Sequence, residues 1–167
     1  MPVSRSVLVL AAASCLAAAS GAAELSPECR AIVIALEKSL HTDHRTTSTH
    51  GKDTVHGVTV QGTTWLQVDG GWRKSPMTVE ANIAMSRANL KDARSYTCKA
   101  LPDSLVDGKP VANWATHTVV EDGSADSRIA IAKGTGLVLN VENWHAAPTG
   151  PADIATRYDY VNVKPPL

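Results

Sequence analysis

The chain has no phenylalanine, and its only aromatic residues besides histidine are four tryptophans and three tyrosines. A core or cavity walled mainly by rings is therefore excluded, and apolar packing must come from Val, Ile, Leu and Ala. Excess charge is missing too, with 16 Lys and Arg against 16 Asp and Glu. Nucleic-acid binding and capture by an anionic membrane, which rest on concentrated positive charge, have no support in this balance. The chain also lacks G-x-S-x-G, S-x-x-K and H-E-x-x-H, the short signatures of nucleophilic or metal-assisted hydrolysis. Gly134-Thr135-Gly136 lacks the Gly-Lys-Ser/Thr that completes a phosphate-cradling loop and reads as a turn, and Glu121-Asp122 reads as solvated acids at another turn. The reading is a non-enzymatic protein without a cofactor.

Long apolar runs are confined to one place, Val7 to Ala19, broken only by Ser14. That run falls short of the roughly 20 residues a membrane-spanning helix needs. Arg5 ahead of it and the small residues Gly21 and Ala23 after it match a secretory signal peptide cleaved before Glu24. Residues 1–23 are thus read as the signal, 24–167 as one domain, and the location as a bacterial periplasm. Lipidation of Cys15 is the alternative, against which Ala12 stands where a lipobox has Leu, Val or Ile. Cleavage removes Arg5 from the 16 bases and no acid, leaving 15 against 16, a formal charge of −1.

Cleavage also removes one of three cysteines and leaves Cys29 and Cys98. An even count in an oxidising compartment predicts a Cys29–Cys98 disulfide, stabilising by about 2–4 kcal/mol; two separate buried thiols are the alternative. Neither cysteine belongs to a C-x-x-C pair, so a thioredoxin-like role has no basis.

The mature chain opens on a helix: Ser26 can cap it, Pro27 suits its first position, and Glu28 meets the positive end of its dipole. Cys29, Ile32, Val33, Leu36 and Leu40 line one face. Val58, Val60, Leu66 and Val68 share a parity that predicts a strand with one wet face, which Trp65 interrupts, and Asp69-Gly70-Gly71 predicts a tight hairpin. Pro76 to Leu90 fits two patterns, a helical stripe through Val79, Ile83 and Leu90 or a strand through Val79, Ala81, Ile83 and Met85, and its Ala, Met, Glu and Arg content favours the helix. A strand through Tyr96 and Cys98 turns at Asp107-Gly108. Four further strands are predicted at Val111–Glu121, Ser127–Ala132, Gly136–Trp144 and Ile154–Val163, with Leu137, Leu139 and Val141 facing one way and Asn140 and Glu142 the other. The order of elements is an α+β arrangement.

The Cys29 helix, the Trp72-Arg73-Lys74 hairpin, Cys98 followed by Val106-Asp107-Gly108, Gly136-Leu137-Val138-Leu139 and the closing Arg157-Tyr158-Asp159-Tyr160-Val161-Asn162-Val163 together resemble small periplasmic proteins of the LolA/LppX-like half-barrel kind. The resemblance implies a curved antiparallel sheet (half-barrel) packed against an N-terminal helix and a second short helix. It also implies a carrier or sensor of lipid or another apolar ligand, although a chain without Phe leaves room for a small cavity or none.

Three functions follow. Apolar-ligand binding predicts a pocket lined by Leu66, Val68, Leu137 and Leu139, with the first helix as lid. A monomeric protein-interaction or inhibitor-like module with a periplasmic protein partner predicts an exposed patch of Trp65, Trp114 and Trp144, of which Trp114 and Trp144 also count as candidate ligand contacts. Metal binding rests on His41 and His44, with His50 and His56 nearby; if the first helix ran through His44, His41 and His44 would share a face while Asp43 points elsewhere. Spacing alone supports this weakly, and no metal site is assigned.

Overall fold

The computed structural model describes residues 25–145 and 148–166; the signal segment and the cleavage point before Glu24 lie outside the described residues. Helix α1 runs Pro27–His41. The Ser26 side chain accepts a hydrogen bond from the Cys29 N–H at 3.3 Å, and Pro27 occupies the first turn, where its missing N–H costs nothing. The helix stops because Thr42 is extended and donates both its N–H and its hydroxyl to the Lys38 carbonyl. His44 therefore opens a strand, and the extension that would align it with His41 does not occur.

Strands β1 (His44–His50), β2 (Asp53–Val60), β3 (Thr63–Val68) and β4 (Gly71–Lys74) form one meander. Helix α2 (Val79–Asp92), capped by the Thr78 hydroxyl, leads to a second meander: β5 (Ser95–Val106), β6 (Lys109–Val120), β7 (Gly123–Ala132), β8 (Val138–Trp144) and β9 (Ile154–Asp159). The meanders join where β1 pairs with β9, giving one nine-stranded antiparallel sheet in the order β4-β3-β2-β1-β9-β8-β7-β6-β5. The sheet is curved and open, with β4 and β5 at its edges, and the α+β half-barrel expectation holds. No helix among the described residues is long and apolar enough to cross a membrane.

Two details of register depart from the alternation read in the sequence. Residues 58–68 are two strands, turned at Gln61-Gly62, whose φ values of 50° and 75° repeat those of Asp69-Gly70 and Asp107-Gly108. Two residues in the left-handed region match the twist of a tight hairpin. Because Val58 then pairs with Trp65, Val58 and Trp65 share one face while Leu66 lies opposite Gly57 on the other. Gly57 is close-packed: a Cβ there would lie 2.5 Å from the Thr46 hydroxyl. The second departure is a register shift at Ala130/Ile131 against β8. It puts Val138 and Val141 with α1, whereas Leu139 packs with Val111, Ala130 and Ala132, so Leu139 and Val141 do not face the same way.

The main core is the seam between α1 and the sheet: Ile32 and Ala35 against Ile129 and Val138, flanked by Leu36, Cys98, Trp114, Ile131, Val141 and Tyr158. The deepest line on α1 passes through Cys29, Ile32, Ala35 and Ser39, with Val33, Leu36 and Leu40 half-buried beside it. The Ser39 hydroxyl accepts from the Val138 N–H at 2.8 Å and donates to the Ala35 carbonyl at 2.7 Å, which satisfies a buried polar group on both sides. Cys29 and Cys98 form a disulfide across 69 residues, pinning the first turn of α1 to edge strand β5.

Candidate functional site: the cleft between the helices and the sheet

Helix α2 connects opposite edges of the sheet and lies beside α1. Only Val79 and Ile83 of α2 are buried, so it covers the sheet loosely. Between the two helices and the β6–β7 end of the sheet is a cleft of about 790 Å³. Its apolar wall combines the flank of α1 (Val33, Leu36, Leu40) with Ile83 and Leu90 of α2. The sheet adds Tyr96, Val120 and Tyr158. Burial raises the pKa of both tyrosines above the ordinary phenol value, partly offset at Tyr96 by a hydrogen bond with Thr116, so both are neutral phenols at physiological pH.

The rim is polar. Arg87 of α2 and Glu37 of α1 make a two-pronged ion pair at 2.6 and 2.7 Å, the direct polar tie between the helices. Hydrogen bonding to Arg87 holds the Glu37 carboxyl below the usual carboxylate range. Asn82, Ser86 and Asn89 of α2 and Asn143 of β8 add neutral hydrogen-bonding groups, and Asp92, Glu121 and Asp122 add acids. A half-open cleft with an apolar wall and a polar rim suits a small-molecule site, for which roughly 300–1,000 Å³ is ordinary.

The residues expected as ligand contacts are dispersed. Leu66 and Val68 are partly exposed on β3, away from the cleft lining, and Trp114 is packed into the core under α1. Leu137 is half-buried ahead of β8, and Leu139 belongs to the small apolar cluster on the opposite face. Trp144 is buried, with the Arg128 guanidinium 5.3 Å from its ring and its indole N–H donating to the Gly150 carbonyl. Trp65, Trp114 and Trp144 therefore form no common exposed patch. What sequence reasoning missed is the contribution of α2. The half-buried flank of α1 and the apolar residues Ile83 and Leu90 were visible in the sequence, but nothing local indicated that the two helices lie side by side.

The histidines also separate. Among the described residues no three His, Cys, Asp or Glu side chains gather as a metal site. His44 is buried; its Nδ1 lies 2.6 Å from the Thr42 carbonyl and its ring 5.5 and 6.1 Å from those of Tyr158 and Tyr160. Burial lowers its pKa, against smaller upward effects of the Thr42 carbonyl, Asp43 and the Ser39 carbonyl. The unfolded chain, near the ordinary value of 6.5, takes up this proton before the folded one does. The His44 contribution to stability is therefore fully present above pH 6.5 and is lost as pH falls toward and through the lowered folded value. Urea unfolding from pH 8 to 5 should show stability falling more steeply for the natural chain than for His44→Asn. Parallel curves would show that His44 is not the group responsible.

An open antiparallel half-barrel with two helices over one face is the class that these elements define. No family model matches the sequence, and no curated protein matches it. Three solved structures to which the chain is similar are LprF from Mycobacterium bovis, MucB in complex with MucA(peri), and the lipoprotein LppX from Mycobacterium tuberculosis. LprF is 9% identical with a TM-score of 0.48, covering 85% of this chain and 97% of its own. MucB is 14% identical with a TM-score of 0.46, covering 75% and 52%, so this chain spans about half of MucB. LppX is 10% identical with a TM-score of 0.45, covering 82% and 95%.

Proposed function

We propose that this protein is a non-enzymatic extracytoplasmic binding protein that holds an apolar chain between α1, α2 and the sheet. The observation that carries the reading is the cleft itself, about 790 Å³ with its apolar wall drawn from both helices and the sheet. Two smaller grooves elsewhere on the sheet each include an ion pair in their lining, Arg45 with Asp159 in one and Arg157 with Asp107 in both. The Cys29–Cys98 bond supports an oxidising compartment, consistent with a signal peptide at residues 1–23. Leu66, Val68, Leu137, Leu139, Trp114 and Trp144 do not line the cleft and have no direct contact role in this reading.

The test is to bind Nile red, an uncharged apolar dye, to residues 24–167 and to a Ser86→Trp variant. Ser86 lies on the exposed side of α2 and lines the cleft, so the indole fills volume without removing core. The natural chain should bind the dye, and Ser86→Trp should weaken it at least about tenfold at an unchanged unfolding midpoint, the loss expected when much of an apolar contact is blocked. Equal affinity in the two proteins would move the site elsewhere.

A further inference from the structure

The mouth of the cleft carries a charge that its apolar wall does not require. Among its lining residues are four carboxylates, Glu37, Asp92, Glu121 and Asp122, against one guanidinium, Arg87. Arg87 is spent on Glu37, and Arg94 reaches Glu121 only at 3.8 Å with both side chains well exposed. Asp92 and Asp122 stand in no ion pair among the described residues. Asp92 is also the last residue of α2, and Asn89 and Leu90 in the same final turn line the cleft. The negative end of the α2 dipole is therefore directed to the same mouth as the acids. Lys91 in that turn is not part of the lining.

We infer that the ligand is a single-chain amphiphile with a cationic, amine-bearing head, its chain in the apolar cleft and its head at Asp92 and Asp122. This rests on the cleft being the binding site and adds the chemistry of the ligand's polar end. A carboxylate or phosphate head would meet uncompensated negative charge at that mouth, whereas an ammonium head finds two carboxylates and the carbonyl end of a helix. The attraction acts across partly exposed space, so it is moderate and screened by salt.

The experiment measures displacement of Nile red from residues 24–167 by dodecylamine, monododecanoylglycerol and dodecanoate, each below its micelle concentration, at pH 7.5. The expected order of affinity is amine, then glyceride, then carboxylate. Amine and carboxylate should differ about tenfold at low salt and by much less at about 0.5 M salt, where the screening length falls to a few ångströms. Asp92→Asn/Asp122→Asn should bring the amine and carboxylate to within about threefold of each other while leaving the glyceride unchanged. Binding of all three with no preference, or with the carboxylate tightest, overturns the cationic head and leaves the cleft standing. A double variant that keeps the full amine preference also overturns it. No binding of Nile red or of any amphiphile overturns the cleft as a binding site and this inference with it.

Discussion

Removal of the Cys29–Cys98 disulfide, as Cys29→Ser/Cys98→Ser, is expected to lower the free energy of unfolding by about 2–4 kcal/mol. Its cross-link spans 69 residues, so the unfolded chain without it regains the freedom of a long loop. There is also a local cost. Cys29 is fully buried at the start of α1, and Cys98 lies on edge strand β5, which has a ladder partner on one side only. Without the bond the α1–β5 corner is held by packing alone, and Tyr96 at the same corner is part of the cleft wall. Urea unfolding of the double variant, set beside the natural protein with and without reductant, checks this. The reduced natural protein should match the variant; a loss below about 1 kcal/mol would mean that the corner is already fixed by its contacts.

Ile32→Ala is expected to cost about 2–5 kcal/mol, the second large effect. Ile32 is fully buried and is the bulkiest residue contributed by α1 to the cluster with Ala35, Ile129 and Val138. Ala35 is already small, so the helix has no neighbouring large side chain on its innermost line to fill the hole. Leu36 and Leu40 are half-buried on the cleft flank and cannot move inward without giving up that wall. Chemical unfolding gives the magnitude, and Nile red affinity of the folded variant gives a second reading. A cost under about 1 kcal/mol would show that the sheet collapses onto the helix and that the cleft is softer than its geometry implies.

Much of this architecture was legible where one residue type has one structural use. Ser26-Pro27 marked the start of α1, and Asp69-Gly70 and Asp107-Gly108 marked hairpins, because caps and left-handed turns select those residues. Gln61-Gly62 takes the same backbone shape, but Gln is not a residue that such turns favour, so the sequence alternation runs through the turn unbroken and gives Leu66 the parity of Val58. The Ala130/Ile131 shift leaves no compositional trace at all, and one displaced residue was enough to separate Leu139 from Val141. The cleft was hidden for a different reason. Its lining residues lie on six elements spread along the sequence, and the amphipathic pattern of α1 distinguishes apolar from polar without distinguishing the buried line through Ile32 and Ala35 from the cleft flank through Val33, Leu36 and Leu40.

The pairing of β1 with β9 also bears on how the chain reaches this state. Each meander is built from hairpins between successive strands, contacts that close short loops and form early. The β1–β9 ladder, by contrast, joins residues more than a hundred positions apart, from Arg45 with Asp159 to His50 with Ile154. Its closure entropy is the largest in the sheet, and it has little to gain until both meanders present finished edges. The seam at the centre of the folded sheet is thus the last ladder the folding chain has reason to make, and it is that seam which sets the His44 ring of β1 against Tyr158 of β9.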